Sequence, residues 1–297
     1  MRGIERGFLL LTSPLGDPLR KPLTVAQFRH LAARAREMEV PIQDRDLTHG
    51  DLVKLGYKSD FAYRILHLLS QEDLLDHYLK RCQKAGCGVI SRIGEDYPGV
   101  LRQKLDPDSP ATLWVKGDLS LICKPAIALV GSRDIGPENR SFAWEVGTQA
   151  ARQGFVLVSG NARGADRIAQ TACLRAGGQV IVVVADELEK HTQERNCLYI
   201  SEDGFDLPFS AQRALSRNRV IHALAEKTFV AQCTPGAGGT WDGTVKNLTK
   251  GLSPVFCFQD GSEGAAQLIQ LGAQAVTMAH LADISRLKRA EISLFDP

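Results

Sequence analysis

The sequence has none of the patterns that mark a zinc protein or a membrane protein. Its seven cysteines form no C-x-x-C pair, and their odd number indicates reduced thiols rather than a disulfide framework. The apolar run near the amino terminus, "FLLLT", is far too short for a membrane-spanning helix or a signal-peptide core. We therefore predict a cytoplasmic protein that does not associate with a membrane.

Several catalytic signatures are also missing. The seven histidines form no H-x-x-x-H pair and no triad-like spacing, and Ser159 does not stand in a G-x-S-x-G turn. No turn matches G-x-G-x-x-G, and no acidic residue stands where the ribose of a dinucleotide would need one. NAD binding is therefore disfavoured.

The chain lacks a strong excess of charge of either sign, since its formal net charge is +2. Many proteins that bind nucleic acids are far more basic overall. Any site for a polyanion must therefore come from local clustering of cations.

What the chain does have divides into two parts. Residues 1–86 are predicted to form a small helical domain of the SAM or helix-hairpin-helix type, followed at 87–124 by an irregular connector rich in turn signals. The segment "LVKLGYKSDFAYRILHLL" resembles a helix-hairpin-helix, but Lys58 replaces its second glycine, and a helical packing module is the simpler interpretation. Ser70 and Asp73 have the spacing of a capping box and predict the start of a helix there.

After the connector, uninterrupted apolar strands alternate with helices, which is typical of a parallel sheet covered on both faces. We therefore predict an α/β fold over residues 87–297, a Rossmann-like parallel sheet with helices on both faces, preceded by the small all-helical domain. The predicted strands are 126–133, 155–160, 179–186, 227–232 and 253–258, and the predicted helices are 137–154, 165–178, 213–225, 240–250 and 263–271.

Two adjacent strands of this sheet end in turns that contain glycine and arginine, "GSR" and "SGNARGAD". Glycines allow close backbone approach, and the planar guanidinium of arginine suits phosphate, so the two turns together predict an anion site. Taken singly, each glycine is explained by a tight turn, each arginine by an ion pair, and Asp166 by the helix dipole. The candidate residues of these turns are Gly131, Ser132, Arg133, Ser159, Gly160, Asn161, Arg163 and Gly164.

A third candidate is the segment "LPFSAQRALSRNRVIHAL", in which no acidic residue interrupts the basic ones. If a helix begins near Arg213, Arg213 and Arg217 lie on one face, flanked by Asn218 and Arg219. A solvated basic face is the usual explanation. Because like charges at that spacing repel each other, a bound polyanion makes better physical sense.

These motifs together resemble the DNA-processing protein A family, DprA or Smf. The resemblance covers about residues 45–280 and rests on the G-S-R turn, the S-G-x-A-R-G-x-D turn and the R-N-R-x-I helix start. It implies a dimeric protein without cofactors that binds single-stranded DNA, helps to load the RecA recombinase and serves natural transformation. It also implies a DNA pocket formed by Ser132 and Arg133, the turn around Asn161 and Arg163, and Arg217 and Arg219.

This chain departs from the family pattern after its third predicted strand, where "ADELEKHTQERNCLYISEDGF" is shorter than the usual stretch, and again after its fourth. There "TPGAGGTWDGTVK" replaces K-S-G-[AS]-L-I-T-A, so the usual DNA-binding lysine is missing, and Lys246 or Lys250 is the candidate to compensate. We also expect no winged-helix domain after Pro297, although many members of the family carry one.

The same departure supports a rival hypothesis. "PGAGGT" resembles the phosphate loop of LOG-like nucleoside monophosphate phosphoribohydrolases, with Gly236, Gly238, Gly239 and Thr240 as the phosphate-binding candidates. Those enzymes carry a glutamate where this chain has Gly243, and its nearest acidic residue is Asp242. The alternative function is therefore such an enzyme or a nucleotide sensor, as in some defence systems. A purely structural scaffold ranks last.

Two tryptophans could stack nucleic-acid bases, Trp144 and Trp241. Packing within the protein is the expected role of both. Trp241 is the better stacking candidate, because it stands beside the glycine loop.

Overall fold

The computed structural model describes residues 3–17, 19–37 and 47–288. The ends of the two predicted domains, at residues 1–2 and 289–297, lie outside this part. Five helices come first along the chain: α1 Gly3–Thr12, α2 Val25–Ala35, α3 His49–Lys54, α4 Ser59–Leu69 and α5 Glu72–Lys84. Within the described residues, no helix combines the length and the apolar character needed to cross a bilayer.

The amino-terminal helices form an apolar core of their own. Leu52 and Ile65 are fully buried in it, against residues of α1 and α2. Helix α5 packs differently, because Tyr78 contacts Trp114 and Phe205 in the core beneath the sheet. The helical part is thus fixed to the sheet, and the domain boundary at residue 86 stays a prediction.

One expected helix start is wrong. Ser70 closes α4 instead of opening α5, and its hydroxyl donates a hydrogen bond to the carbonyl of His67. The reason is the short connection between the helices. Gln71 takes the cap position of α5 without a side-chain hydrogen bond.

After α5, the described residues form a nine-stranded sheet and the helices that pack on it. Its strands are β1 Gly88–Ser91, β2 Thr112–Gly117, β3 Ala126–Val130, β4 Val156–Ser159, β5 Gln179–Val183, β6 Cys197–Ser201, β7 Lys227–Val230, β8 Val255–Phe258 and β9 Gln274–Val276. Their order is β1-β2-β6-β5-β4-β3-β7-β8-β9, and the seven strands from β6 to β9 pair in parallel. The predicted Rossmann-like α/β fold is confirmed.

The connector predicted at 87–124 is ordered rather than irregular. It contains β1, helix α6 Gly99–Leu105 and β2, and both strands pair antiparallel at one edge of the sheet. The irregular connector was predicted from its prolines, but these lie at the boundaries of regular elements. Pro98 caps α6 and Pro110 precedes β2. Two short strands, β6 and β9, also had no strand prediction.

Helices cover both faces of the sheet. The later helices are α7 Pro137–Arg152, α8 Ala165–Arg175, α9 Ala211–Ser216, α10 Asn218–Leu224, α11 Gly238–Lys250 and α12 Glu263–Gln270. Helices α7 and α8 pack on one face, and α6, α10, α11 and α12 pack on the other. Strand β3 lies between β4 and β7. The strands that follow it in the chain are first added on one side, from β4 to β6, and then on the other side, from β7 to β9. In such sheets this switch point opens a crevice at the carboxyl ends of the strands.

Candidate nucleic-acid interface

A cleft of about 680 Å³ lies at the carboxyl ends of β3 and β7. We call it the switch-point cleft. The turn after β3, the start of α8, the α9–α10 junction and the glycine loop before α11 line it. The G-S-R turn and the "PGAGGT" loop, predicted for different ligands, thus open onto one space.

The turn after β3 is held in place by neighbouring backbone, and its arginine, Arg133, is exposed to the cleft. A Cβ on Gly131 would lie 2.5 Å from the Cβ of Ala165, so the glycine is required by packing against α8. The amide and the hydroxyl of Ser132 both donate to the carbonyl of Gln232, at 3.0 and 3.2 Å. Arg133 is exposed and lines the cleft.

The turn after β4 is organised from within by Asp166. Its buried carboxylate accepts hydrogen bonds from the amides of Gly160 and Ala162, at 3.1 and 3.2 Å. Burial raises the pKa of Asp166, and the charge of Arg217 opposes that shift. Two amides that a phosphate could have used are therefore satisfied by the protein itself.

The other candidates in this turn are mainly structural. Ser159 is fully buried and its hydroxyl accepts a hydrogen bond from Gln170. Asn161 and Gly164 have φ of +60° and +87°, in the left-handed region, and any Cβ on Gly164 would overlap the carbonyl of Arg133. Asn161 lies away from the switch-point cleft, in a separate depression between α8 and the loop that follows β5.

Arg163 differs from these residues because its side chain is 75% exposed. It forms an ion pair with Asp134, whose side chain is also exposed, at 3.0 Å. Such an exposed pair contributes little to stability, so its guanidinium is available to a ligand. It lies in a shallow groove beside the cleft, together with Arg133.

Arg217 forms part of the cleft floor. Its Nη2 donates to the carbonyl of Gly160 at 2.8 Å, and its guanidinium occupies the space that a Cβ on Gly160 would need. Its buried Nε has no hydrogen-bond partner among the described residues. Burial lowers the pKa of Arg217, while the carboxylates of Asp166 and Glu202 oppose that shift. Arg217 therefore helps to build the cleft, and its role in DNA binding stays a prediction.

The structure does not bring Arg213 onto one face with Arg217. Helix α9 ends at Ser216 and α10 begins at Asn218, so Arg217 lies at the junction. The Arg213 guanidinium instead ties neighbouring loops together. It donates to the carboxylate of Asp203, the hydroxyl of Ser201 and the carbonyls of Ala185, Leu207 and Pro208.

Three further predicted cations also lie outside the cleft. Arg219, Lys246 and Lys250 line a second groove, of about 690 Å³, between the amino-terminal part and helices α10 and α11. Each is paired with a carboxylate: Arg219 with Glu202 at 2.5 Å, Lys246 with Asp242 at 2.8 Å and Lys250 with Asp108 at 2.7 Å. Their roles in DNA binding stay predictions, and these pairings weigh against them.

The glycine loop presents an open helix end to the cleft. Gly236 and Gly238 have φ of +68° and +79°, and no side chain caps α11. Gly238, Gly239 and Thr240, the first turn of α11, line the cleft, and Asn218 holds the loop by donating to the carbonyl of Gly239 at 2.9 Å. Free amides and the helix dipole make this end a place for an anion.

No carboxylate stands where a phosphoribohydrolase would need it. The inward position on α11 is Gly243, whose Cβ would lie 3.3 Å from Nε2 of His222. Asp242 does not line the cleft. Burial lowers the pKa of His222 to about 3, so its ring is neutral, and Nδ1 contacts Thr228 and Asn247. Among the described residues, no cluster of histidine, cysteine or carboxylate side chains could hold a metal ion.

Sequence reasoning missed one aromatic side chain at the cleft. Phe209 is 56% exposed and lines the cleft beside Arg217. The sequence signal that could have identified Phe209 is its position in "LPF", directly before the arginines of the basic segment. Trp144, and not Trp241, is the better stacking candidate in the structure. Trp241 packs against the core, whereas Trp144 is 39% exposed.

Comparisons with known proteins show which family this chain resembles. The sequence profile of the family described as DNA recombination-mediator protein A matches residues 88–286. The DNA processing protein DprA of Streptococcus pneumoniae is 29% identical over 256 residues, covering 79% of this chain and 85% of that protein. The X-ray structure of DprA from S. pneumoniae covers 94% of this chain and 96% of its own, with a TM-score of 0.69 and 26% identity.

A second solved structure shares the fold at lower identity. It is that of DNA processing protein A from Helicobacter pylori, determined for its single-stranded DNA binding mode. The match has a TM-score of 0.54 and 24% identity, and covers 64% of this chain and 90% of the other.

Proposed function

The chain belongs to the DNA recombination-mediator protein A family, and from that premise we propose that it binds single-stranded DNA in the switch-point cleft. The observation that carries the proposal is the convergence of three features on that cleft. They are the uncapped start of α11, the exposed guanidinium of Arg133 and the exposed ring of Phe209. The single-stranded DNA binding named for the H. pylori protein supports the same ligand.

These features suit two parts of a nucleotide, its phosphate and its base. The amides of the first turn of α11 and the guanidinium of Arg133 suit phosphate oxygens. Phe209 stands exposed at the same cleft, where a base can stack on its ring. Because stacking accepts any base and phosphate contacts carry no sequence information, we expect slight sequence preference.

The protein binds the strand without chemical turnover. Asp242 points away from the cleft into its ion pair with Lys246, and Gly243 supplies no carboxylate. By its family the protein acts in DNA processing, as a recombination mediator. We further propose that it works in the cytoplasm as a homodimer, hands DNA to RecA and serves natural transformation.

The nucleotide-sensing alternative keeps one specific support. The loop at residues 236–240 can hold a single phosphate whether or not that phosphate belongs to a strand. The two functions therefore differ in what lies beyond the first phosphate, and Arg133 and Phe209 favour a longer ligand.

Point variants and salt test the proposal. Arg133→Ala and Phe209→Ala should each weaken binding to an oligonucleotide while leaving the melting temperature nearly unchanged, because both side chains are exposed. If three phosphates are neutralised, log affinity should fall with log salt at a slope of about −2, and Arg133→Ala should reduce that slope by about 0.7. Arg195→Ala is the matched control, since Arg195 is exposed at the amino-terminal end of β6, whereas the cleft lies at the carboxyl ends of the strands. An affinity that does not change with salt contradicts the proposal.

A further inference from the structure

A shallow groove on the surface of α7 and α8 continues the switch-point cleft. It is defined by the exposed side chains of Arg133, Arg140, Trp144, Arg163 and Arg167, and we call it the α7–α8 groove. Arg133 lines both the groove and the cleft, so a ligand can pass from one to the other at this residue.

The helices bring these side chains to one surface by close packing. A Cβ on Gly147 of α7 would overlap the carbonyl of Ala169 of α8, so the two helices touch at the backbone. Arg140 and Trp144 are four residues apart and therefore lie on the same side of α7. Arg167 extends from α8 towards the same groove.

The charge of the groove is strongly one-sided. Four arginines line it against a single carboxylate, Asp134, which pairs with Arg163. A fifth cation, Arg175, lies farther along α8 with its guanidinium carbon 5.6 Å from the centre of the Trp144 ring. In a chain with a net charge of +2, this is the local clustering of cations that a polyanion needs.

Trp144 adds a stacking surface to these charges. Its side chain is 39% exposed, and the arginine beside it adds a cation–π contribution. Aromatic side chains in a positively charged groove are how proteins hold single strands without reading their sequence.

We propose that single-stranded DNA leaves the switch-point cleft at Arg133, follows the α7–α8 groove and stacks a base on Trp144. This inference rests on the proposed function, because it extends the path of the same ligand. Continuity with the cleft and the excess of arginine select a nucleic-acid strand over an apolar protein surface as the occupant.

The test compares two oligonucleotides of different length. A short one of about 4 nucleotides can occupy the cleft alone, and one of about 16 can also reach the groove. Trp144→Ala should weaken binding of the long oligonucleotide about fivefold or more and leave the short one unchanged, whereas Trp144→Phe should retain most of the affinity. Tyr63→Ala is the matched control, since Tyr63 is 61% exposed on α4 and should affect neither.

The outcomes separate this inference from the proposed function. If Trp144→Ala binds both oligonucleotides like the wild type while Arg133→Ala weakens both, the groove proposal fails and the cleft proposal stands. If the wild type binds neither oligonucleotide, both proposals fail. If Trp144→Ala turns a dimer into a monomer without DNA, as measured by light scattering, the groove is a contact between two copies and the inference is overturned.

Discussion

Asp166 and Arg217 lie beneath the turn after β4, and their bonds explain how that turn keeps its shape. Asp166 fixes two amides, and Arg217 fixes the carbonyl of Gly160. Arg133 and Phe209 point outward and are available to a ligand. At the scale of the residue, the cleft therefore has buried side chains that build it and exposed side chains that we propose bind DNA, and substitutions should affect the two groups differently.

Gly164→Ala tests the building residues. The new Cβ would overlap the carbonyl of Arg133 at a φ of +87°, so we expect the free energy of unfolding to fall by about 2–3 kcal/mol. Gly154→Ala is the control, because its φ is +78° but no atom lies within 4 Å of its Cβ, and it should cost about 1 kcal/mol. Chemical denaturation measures both. Equal losses would mean that φ alone, and not the contact between the turns, requires the glycine.

Arg219→Gln tests the ion pair outside the cleft. Burial raises the pKa of Glu202 to about 7, and Arg219 opposes that shift. Because the folded pKa lies above the unfolded one, the stability that Glu202 contributes is complete at low pH and is lost as the pH rises through about 7. Arg219 limits the loss by stabilising the ionised carboxylate.

Removing Arg219 also removes its hydrogen bonds to the carbonyls of Asp108 and Ser216 at every pH, but the loss of the ion pair should matter only where Glu202 is ionised. We expect Arg219→Gln to lower the free energy of unfolding by about 1.4 kcal/mol more near pH 8 than near pH 5, because protonation of Glu202, whose pKa is about 7, limits the cost of losing the ion pair. Thermal melts at the two pH values measure the difference. The same loss at both would contradict a protonated Glu202 at low pH.

At the scale of the element, we propose that the first turn of α11 is the main anion site, and Thr240→Asp tests this proposal. An added carboxylate there should stabilise the helix by about 0.3–1 kcal/mol through the dipole, yet weaken DNA binding by repelling phosphate. Thr240→Asn is the neutral control, and melts and binding isotherms on the same samples give the two readouts. Stronger or unchanged DNA binding by Thr240→Asp would place the phosphate elsewhere.

Elements with a full apolar or helical pattern were predictable from the sequence. Strand β3 is buried along its whole length, and α7 begins at the predicted Pro137, so both had a clear local signal. Strand β9 has only three residues, and β2 lies between prolines, so neither strand had a clear local signal in the sequence. Their pairing comes from neighbouring strands, which no local pattern reveals.

The site was predictable in its turns but not in the direction of its side chains. "GSR", "SGNARGAD" and "PGAGGT" were each identified, and glycine packing in two of them agrees with their structural explanation. The run from Arg213 to Arg219 suggested one basic face. In the fold, a break between α9 and α10 sends its three arginines to three different surroundings.

At the scale of the whole molecule, the sheet order decides where the site lies. Strand β3 pairs with β4 on one side and with β7 on the other, so turns from distant parts of the sequence meet at one crevice. Three cations outside the crevice, Lys246, Lys250 and Arg219, are paired with carboxylates. A nearly neutral chain can therefore keep a locally basic binding surface.

The most direct test of that surface is the affinity of the wild-type protein for a series of ligands, from one nucleoside monophosphate to oligonucleotides of increasing length. Many weak phosphate and stacking contacts must act together, so we expect affinity to rise steeply with length and no free base to be released from the monophosphate. Tight binding of the monophosphate with no gain from length, together with release of free base that Asp242→Asn abolishes, would contradict the account and assign the cleft to an enzyme.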